Sequence, residues 1–454
     1  MKLRLLVASV LVARAGAAQT PTWHSRMTAL IRDTILPNGL TLIVAENHTV
    51  PLMTASIAFR TGAIAQQPGD EGMAHLTEHL LFRAYGEDQA FAGDVAAMNG
   101  TYNGTTSDEE VRYYITAPAK QLSPALRAIA KLVRDPKLNK RDLDAERKVV
   151  GDELARDNSS EESVLRTALG TRLWSGLWSK KDPGGSQETV NKITLERIKA
   201  SLADQYVPGN AAVIITGDVS MSDALTEVTR AFGDWKGSTP PSHPISDVAL
   251  ASTQTVAVSA PATHLMTLSF QWLGPSVSQS PRDVQAGEVF SEMVNSNLSS
   301  AIPRLIASGV IHSLAMVTET RHQRSALTLT ALVSPAGFDQ AVTALKNEID
   351  RFATPAYLND SLLIVGKSRV AIDEEHWIEA ESSLAETIAH YWCVADLGYV
   401  RDRGDAISKV DLPMLQSFVS KYVVGQPMVV GVLAPAADAD RAGKTLTTVF
   451  GGKP

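Results

Sequence analysis

Hydrophobic and polar positions along the chain follow two periods, one typical of strands and one typical of helices. Apolar runs bounded by turn residues predict strands over 41–45, 54–60, 111–116, 211–216 and 428–433. Apolar positions spaced by three and four residues predict helices over 71–82, 121–133 and 142–157. The chain is therefore expected to mix helices and strands along its whole length.

Two distant segments share one pattern of helix, turn and strand. In each of them a helix is expected to end at a tyrosine, Tyr206 or Tyr422, and a short turn leads into an apolar strand. The two tyrosines are separated by nearly half of the 454 residues. A repeat of this length is typical of a duplicated domain, although such units also recur by chance.

A segment rich in Pro, Ser and Gly separates the two halves. Residues 236–244 lack apolar periodicity, which is typical of a linker. A chain of 454 residues is too long for one ordinary domain and comfortable for two. We therefore predict an N-terminal domain over 19–236, a linker over 237–250 and a C-terminal domain over 251–454.

The N-terminal segment has the order of residues found in export signals. Lys2 and Arg4 precede an apolar run over 5–12 and small residues over 13–18. We predict a signal peptide over 1–18 and export, most simply to a bacterial periplasm. No acidic residue precedes Asp33, so a mitochondrial transit peptide and the mitochondrial matrix are the alternative. We expect no membrane span after cleavage of the signal.

The net charge and the cysteine content exclude some classes of partner and of metal site. The net charge of −7 argues against a nucleic-acid partner, because there is no basic excess to displace counterions from phosphate. Cys393 is the single cysteine, so neither an intramolecular disulfide nor a metal site with paired thiolates can form. Any metal site must therefore use histidines and carboxylates.

The sharpest chemical signal is the run His75-Leu76-Thr77-Glu78-His79. On a helix, His75 and His79 are one turn apart and point to the same side, so both imidazoles can reach one ion. Glu78 lies close to that face and can approach a metal-bound water without being a ligand. The run reverses the order of the common H-E-x-x-H zinc helix and is typical of inverted zinc peptidases. A surface helix with two histidines or a structural zinc site is the alternative.

A catalytic zinc ion needs a third protein ligand and an open position. Glu146 and Glu153 are two turns apart on the predicted helix over 142–157, so they share a face. We predict Glu153 as the third ligand and Glu146 as a nearby supporting carboxylate. Asp152 is the second choice, because it lies about 100° away from the Glu146 face.

Together these motifs resemble the pitrilysin/insulinase family of inverted-motif zinc peptidases, which includes the mitochondrial processing peptidase. The resemblance is carried by the runs over 36–40, 72–82, 103–107, 113–114, 146–153 and 206–210, and weakly near Tyr422. It implies one Zn²⁺ per chain, held by His75, His79 and Glu153. It also implies Glu78 as the general base and Glu146 as the carboxylate behind a ligand.

The same resemblance implies the fold and the way in which a substrate is held. The expected fold class is α+β, with two similar domains, each a mostly antiparallel sheet flanked by helices, that face each other around a cavity. Asn103, Gly104 and Thr105 are expected on an edge strand that pairs with an extended peptide. A polar, glycine-containing turn is the alternative for these three residues.

The second half departs from the family pattern at one point. Active single-chain relatives are expected to supply an Arg and a Tyr, seven residues apart, as donors to the developing oxyanion. Arg304 is present here, but the position seven residues later is Ile311, and His312 takes the place of the Tyr if Gly309 is aligned instead. Three alternatives follow. His312 replaces the Tyr as donor, or a homologous subunit with the Arg/Tyr pair and no zinc motif supplies the donor. In the third alternative the alignment has slipped and a different Tyr serves.

The sequence therefore predicts a zinc-dependent endopeptidase that hydrolyses peptides in a cavity between two domains. It is expected to act alone or as the zinc-bearing subunit of a heterodimer. The alternative is a non-catalytic assembly or peptide-binding subunit of the same family. Such a subunit would be expected to have lost a zinc ligand or the base, and all four residues are present.

Overall fold

The computed structural model describes residues 23–86, 90–237, 240, 243, 248–260, 264–299 and 301–451. The predicted signal peptide over 1–18 lies outside the described residues, as does most of the predicted linker over 237–250. The boundaries of the predicted domains thus stay a prediction. Within the described part of the chain, no helix combines the length and the apolar character that a membrane span requires.

The strands of the described residues form two sheets. They are β1 (Ile31–Ile35), β2 (Thr41–Glu46), β3 (Leu52–Phe59), β4 (Thr101–Thr106), β5 (Val111–Pro118), β6 (Ala211–Gly217), β7 (Gln254–Ala260), β8 (Met266–Leu273), β9 (Ile311–Thr318), β10 (Ala326–Val333) and β11 (Val429–Pro435). The first sheet has the order β1-β2-β6-β3-β5-β4, and the second has the order β7-β11-β8-β10-β9. Each sheet is antiparallel except for one parallel pair of strands, which is β2 with β6 in the first sheet and β7 with β11 in the second.

Helices flank both sheets. They are α1 (Trp23–Leu30), α2 (Met73–Arg83), α3 (Phe91–Ala97), α4 (Leu122–Arg134), α5 (Lys140–Ser159), α6 (Glu161–Trp174), α7 (Gln187–Lys192), α8 (Leu195–Gln205), α9 (Met221–Phe232), α10 (Pro281–Asn295), α11 (Ala301–Ala307), α12 (Phe338–Arg351), α13 (Asp360–Trp377), α14 (Glu381–Val394), α15 (Leu397–Ser408), α16 (Leu412–Tyr422) and α17 (Ala439–Phe450). The eight strands and helices predicted from periodicity form, and their ends differ from the prediction by at most two residues.

The second half repeats the chain order of the first. In the first half β3 leads through α2 to the hairpin β4–β5 and then to α4 and α5, and in the second half β8 leads through α10 to the hairpin β9–β10 and then to α12 and α13. The last five strands of the first sheet and the five of the second then occupy equivalent places. The predicted class, two similar α+β domains with mostly antiparallel sheets, is confirmed.

Each sheet is also covered by a helix from the other half, which the sequence did not predict. Helix α14 of the second half packs on β3 and β6, where Ile388 and Trp392 join a buried cluster with Ile43 and Ile214. Helix α6 of the first half packs on β7 and β11 of the second sheet. The halves are therefore held together by their hydrophobic cores and not only by surface contacts.

Candidate zinc site

The start of α2 is fixed by the side chain of Gln66, six residues before its N-cap, because the N-cap residue itself is a glycine. Gly72 has a φ of 92° and offers no side-chain oxygen to the first turn. The side-chain oxygen of Gln66 instead accepts hydrogen bonds from the backbone N–H groups of Gly72 and Ala74, at 3.1 Å each. The Gln66 side-chain nitrogen donates to the carbonyls of Ser179 and Asp182. This buried amide thus caps α2 and sets its position.

Helices α2 and α5 pack against each other and bring three potential ligands together. The Nε2 atoms of His75 and His79 are 3.2 Å apart. The Oε2 atom of Glu153 lies 3.3 Å from Nε2 of His79 and 3.8 Å from Nε2 of His75. Among the described residues, these three are the group of His, Cys, Asp and Glu side chains whose ligand atoms could surround one metal ion. Asp152 is not part of this group.

The donor set and its spacing fit Zn²⁺. Tetrahedral zinc ligands, about 2.0–2.2 Å from the ion, lie roughly 3.3–3.6 Å from one another. The three separations of 3.2, 3.3 and 3.8 Å match that spacing. Two imidazole nitrogens and one carboxylate oxygen are also the set that catalytic zinc sites use when a fourth position stays open. The residues present would therefore hold zinc with little rearrangement.

A second carboxylate stands behind His79. Oε2 of Glu146 lies 3.4 Å from Nδ1 of His79, and Oε1 of the same carboxylate lies 3.8 Å from Nη1 of Arg83. Burial alone lowers the pKa of His79, but the hydrogen bond with Glu146 and the charge of Glu153 outweigh it and raise the pKa. Burial is the main cause that lowers the pKa of His75, and the positive charge of the nearby His79 lowers it further. Glu146 therefore lies where it would orient the His79 ring, with Nε2 toward the ligand cluster.

Glu78 is buried beside the ligand cluster and points toward the edge strand β4. Its side chain is 8% exposed, and its Oε2 atom accepts a hydrogen bond of 2.5 Å from the hydroxyl of Thr106. Burial raises the pKa of Glu78, and the hydrogen bond from Thr106 and the proximity of His79 counteract part of that effect. A carboxylate whose pKa is raised toward neutrality is a better acceptor of a proton.

The three residues predicted to hold a peptide lie on β4, the last strand of the first sheet. Asn103, Gly104 and Thr105 pair with β5 on one side, and on the other side no strand of the described residues pairs with them. Gly104 faces α2, because a Cβ atom built there would lie 2.7 Å from Oε1 of Glu78. The predicted edge strand therefore forms, and it passes directly over the predicted base.

Arg304 and His312 lie in the second half, on α11 and at the start of β9. The guanidinium of Arg304 pairs with Glu348, and Nε2 of His312 lies 2.7 Å from the hydroxyl of Ser334. In the part of the chain that the structure describes, neither side chain has a hydrogen bond or ion pair with the three potential zinc ligands. Their predicted contact with substrate thus stays a prediction.

Three supporting residues were not predicted from the sequence. Thr106 lies two residues after Gly104, so strand periodicity alone could have placed both on the face toward Glu78. Arg83 follows His79 by four residues and could have been found by helical spacing. No local pattern identifies Gln66, because its partners are separated from it by up to 116 residues in the chain.

Two family models match the chain. That of the insulinase family, peptidase family M16, matches residues 41–178, and that of the peptidase M16 inactive domain matches residues 192–359. All three potential ligands and Glu78 lie inside the first match. The second match lies mostly in the half that carries no such cluster among its described residues.

Curated relatives match over part of their length. An uncharacterized zinc protease of Mycobacterium leprae is 28% identical over 229 residues, which are 48% of this chain and 50% of the relative. A probable mitochondrial-processing peptidase subunit beta of Arabidopsis thaliana is 22% identical over 205 residues, which are 44% of this chain and 38% of the relative. The chain thus spans about half the length, or less, of these relatives.

Solved structures match over most of the chain. A protease from Helicobacter pylori has a TM-score of 0.78 at 19% identity and covers 89% of this chain and 99% of its own. The periplasmic protease PqqL from Escherichia coli has a TM-score of 0.75 at 14% identity and covers 91% of this chain and 48% of its own. At these identities the similarity establishes the fold.

Proposed function

Because the chain belongs to peptidase family M16, the insulinase family, we propose that it is a zinc-dependent endopeptidase. The observation that carries the proposal is the convergence of His75, His79 and Glu153 on one point, with separations of 3.2–3.8 Å between their ligand atoms. The names of the relatives as zinc proteases support the same class of reaction.

Each side chain then has a defined role. His75, His79 and Glu153 hold the ion, which when bound acts as a Lewis acid that polarises the scissile carbonyl and acidifies a water. Glu78 accepts the proton of the attacking water and returns it to the leaving amine. Thr106 fixes the Glu78 carboxylate through its hydrogen bond, so that the base keeps one orientation.

We further propose that an extended peptide pairs with β4. The exposed residues Asn103 and Thr105 alternate with Gly104, and the strand offers a backbone edge that no strand of the described residues pairs with. Such pairing recognises the backbone of a peptide and gives little specificity for its sequence. The carbonyl next to the paired segment would then lie near Glu78, since Gly104 is in contact distance of that side chain.

The donor for the oxyanion is proposed to come from a homologous subunit that carries an Arg/Tyr pair. Arg304 is already paired with Glu348, and His312 with Ser334, so both would have to exchange a partner before they could bind a substrate. The similarity to a processing-peptidase beta subunit supports a two-chain arrangement. Full activity of the purified chain alone would exclude an obligatory partner and favour Arg304 or His312 as donor.

A non-catalytic role is the second candidate, and one observation favours it. The second half matches a model named for an inactive domain. That half lacks a ligand cluster among the described residues, whereas the first half has a complete one, so we favour the enzyme. Export to the periplasm also stays a proposal, supported by the order of residues over 1–18 and by the similarity to the periplasmic protease PqqL.

The test is cleavage of a quenched-fluorescent peptide library by the purified chain, alone and with cell extract from its source that supplies the proposed subunit. We expect cleavage that a chelator abolishes and that added Zn²⁺ restores. Cleavage that persists in a metal-free sample would contradict the zinc mechanism. A zinc-loaded chain that binds peptides and cleaves none, alone or with cell extract from its source, would favour the non-catalytic role.

A further inference from the structure

The turn between β4 and β5 carries three consecutive carboxylates that are all buried. Asp108, Glu109 and Glu110 are 6%, 5% and 7% exposed. Buried carboxylates are costly unless each is paired or hydrogen-bonded. This turn, residues 107–110, begins one residue after Thr106 and is called the acidic turn below.

The first carboxylate of the acidic turn is bound by two cations. Oδ2 of Asp108 accepts a hydrogen bond of 2.9 Å from Nζ of Lys181, and Oδ1 lies 2.8 Å from Nε of Arg321 in the second half. Lys181 also donates to the carbonyl of Arg324 at 2.9 Å. Burial alone raises the pKa of Asp108, but the two cations outweigh it and lower the pKa to about 2. Asp108 is therefore an ionised link between the halves.

The other two carboxylates also reach the second half. Glu109 accepts hydrogen bonds from the backbone N–H groups of His322 at 2.6 Å and Gln323 at 3.1 Å. Oε2 of Glu110 lies 3.2 Å from Nδ1 of His390 on α14. Residues 321–323 belong to the turn between β9 and β10, which is the counterpart of the acidic turn in the second sheet. The tips of two equivalent hairpins are thus joined by buried charges.

The backbone of the acidic turn is held from the first half as well. The N–H of Ala63 donates to the carbonyl of Ser107 at 3.1 Å, and the N–H of Ile64 donates to the carbonyl of Asp108 at 2.8 Å. Gly62 permits this approach, since it has a φ of 143° and a Cβ atom there would lie 2.3 Å from the Ser107 carbonyl. The turn is therefore fixed on both sides.

Because the acidic turn is held in place, the residue before it, Thr106, is held in place as well. Thr106 is separated from Asp108 by one residue and donates the hydrogen bond that orients Glu78. A displacement of the turn would move Thr106 as well, because Thr106 is the last residue of β4 and is bonded directly to the first residue of the turn.

We infer that the acidic turn is a positioning device, in which Asp108, held by Lys181 and Arg321, sets the place of β4 relative to the zinc helix α2. Contact between the halves is thereby transmitted to the strand that is proposed to hold the peptide and to the residue that holds Glu78. The effect on turnover rests on the proposed function, whereas the effect on the order of β4 does not. Asp108 acts through other residues and does not touch the substrate.

The test compares Asp108→Asn with a variant that breaks a buried ion pair elsewhere. Glu374→Gln is the control, because Glu374 is 1% exposed, pairs with the buried Arg403 and lies on α13 of the second half. Both variants are expected to lower the Tm. Only Asp108→Asn is expected to speed amide hydrogen exchange over 101–110, while exchange over α2 stays as in the wild type.

With peptide substrate, Asp108→Asn is expected to lower kcat by about tenfold or more at unchanged zinc content. The reason is that a small displacement of the peptide-binding strand or of Glu78 slows the chemical step. If Asp108→Asn does not fold, Arg321→Gln serves instead, because the Arg321 side chain is 23% exposed and Asp108 keeps Lys181. Unchanged exchange over 101–110 in the folded variant would overturn the inference. A wild type that cleaves no peptide, either alone or with cell extract from its source, together with faster exchange in the variant would refute the proposed function and keep the inference.

Discussion

The hydroxyl of Thr106 offers the most selective perturbation of Glu78, since Thr106→Val removes one hydrogen bond and keeps the shape of the side chain. The bond is 2.5 Å long and ends on a carboxylate that is 8% exposed. A hydrogen bond to a charged group contributes about 1.5–3 kcal/mol, which corresponds to a factor of roughly 10 to 100 in an equilibrium or a rate. Solvent cannot fully replace the donor at this depth.

The sign of the effect follows from the bond. A donated hydrogen bond favours the ionised carboxylate, so its loss raises the pKa of Glu78. The base is then protonated over a wider range on the acid side. We expect the acid limb of the pH profile of kcat/KM to move to higher pH, and kcat/KM below that limb to fall about 10- to 100-fold.

The assay is a pH profile of peptide cleavage together with metal analysis of each protein. Thr106→Ser keeps the hydroxyl and is expected to restore the profile. Thr101→Val is the matched control, because Thr101 is exposed on the same strand. An acid limb that stays in place in Thr106→Val at normal zinc content would show that the hydrogen bond does not tune the base, and the reasoning would be refuted.

Three further predictions concern the metal and the packing of its helix. Glu146→Gln is expected to lower zinc affinity by about 10- to 100-fold, because His79 loses the carboxylate that orients it; competition with a chromophoric chelator measures this, and unchanged affinity would contradict the assigned role. Because the pKa of His79 is raised, zinc must displace a proton from His79 at low pH. The zinc affinity is therefore expected to rise with pH up to that pKa, by up to about tenfold per pH unit for one proton released. Titration calorimetry in buffers of different ionisation enthalpy measures the proton release, and an absence of release would refute this linkage. Leu76→Ala is expected to destabilise the protein by about 2–5 kcal/mol in urea unfolding, because Leu76 is fully buried in the cluster with Leu143 and Val150; a loss below about 1 kcal/mol would mean that this packing is not rigid.

Local patterns predicted several elements of the first half correctly and left most elements of the second half unpredicted. The apolar runs over 54–60 and 111–116 became β3 and β5, because a buried strand needs only apolar residues in sequence. The duplication suggested by Tyr206 and Tyr422 appears as two equivalent sheets. Local patterns could not predict that α14 covers the first sheet and α6 the second, because an apolar face does not specify which sheet buries it.

The potential zinc ligands could be predicted because they follow helical spacing, whereas the contacts between separate elements of the site could not. His75 and His79 are one helical turn apart, and Glu146 and Glu153 are two turns apart, so their faces follow from spacing alone. The hydrogen bond from Thr106 to Glu78 instead depends on how β4 lies over α2, which is set by tertiary packing. The partners of Asp108 depend likewise on contacts between the halves, up to 213 residues apart in the chain.

Glu78 is proposed to act as a base on a water activated by zinc, and Glu78→Gln removes that carboxylate while leaving the three potential ligands in place. The measurement is kcat on a cleaved peptide for wild type and variant, each with its zinc content determined. We expect about one zinc ion per chain in both proteins and a fall in kcat of about 10²- to 10⁴-fold in the variant. Cleavage at the wild-type rate by zinc-loaded Glu78→Gln would show that Glu78 is not the base.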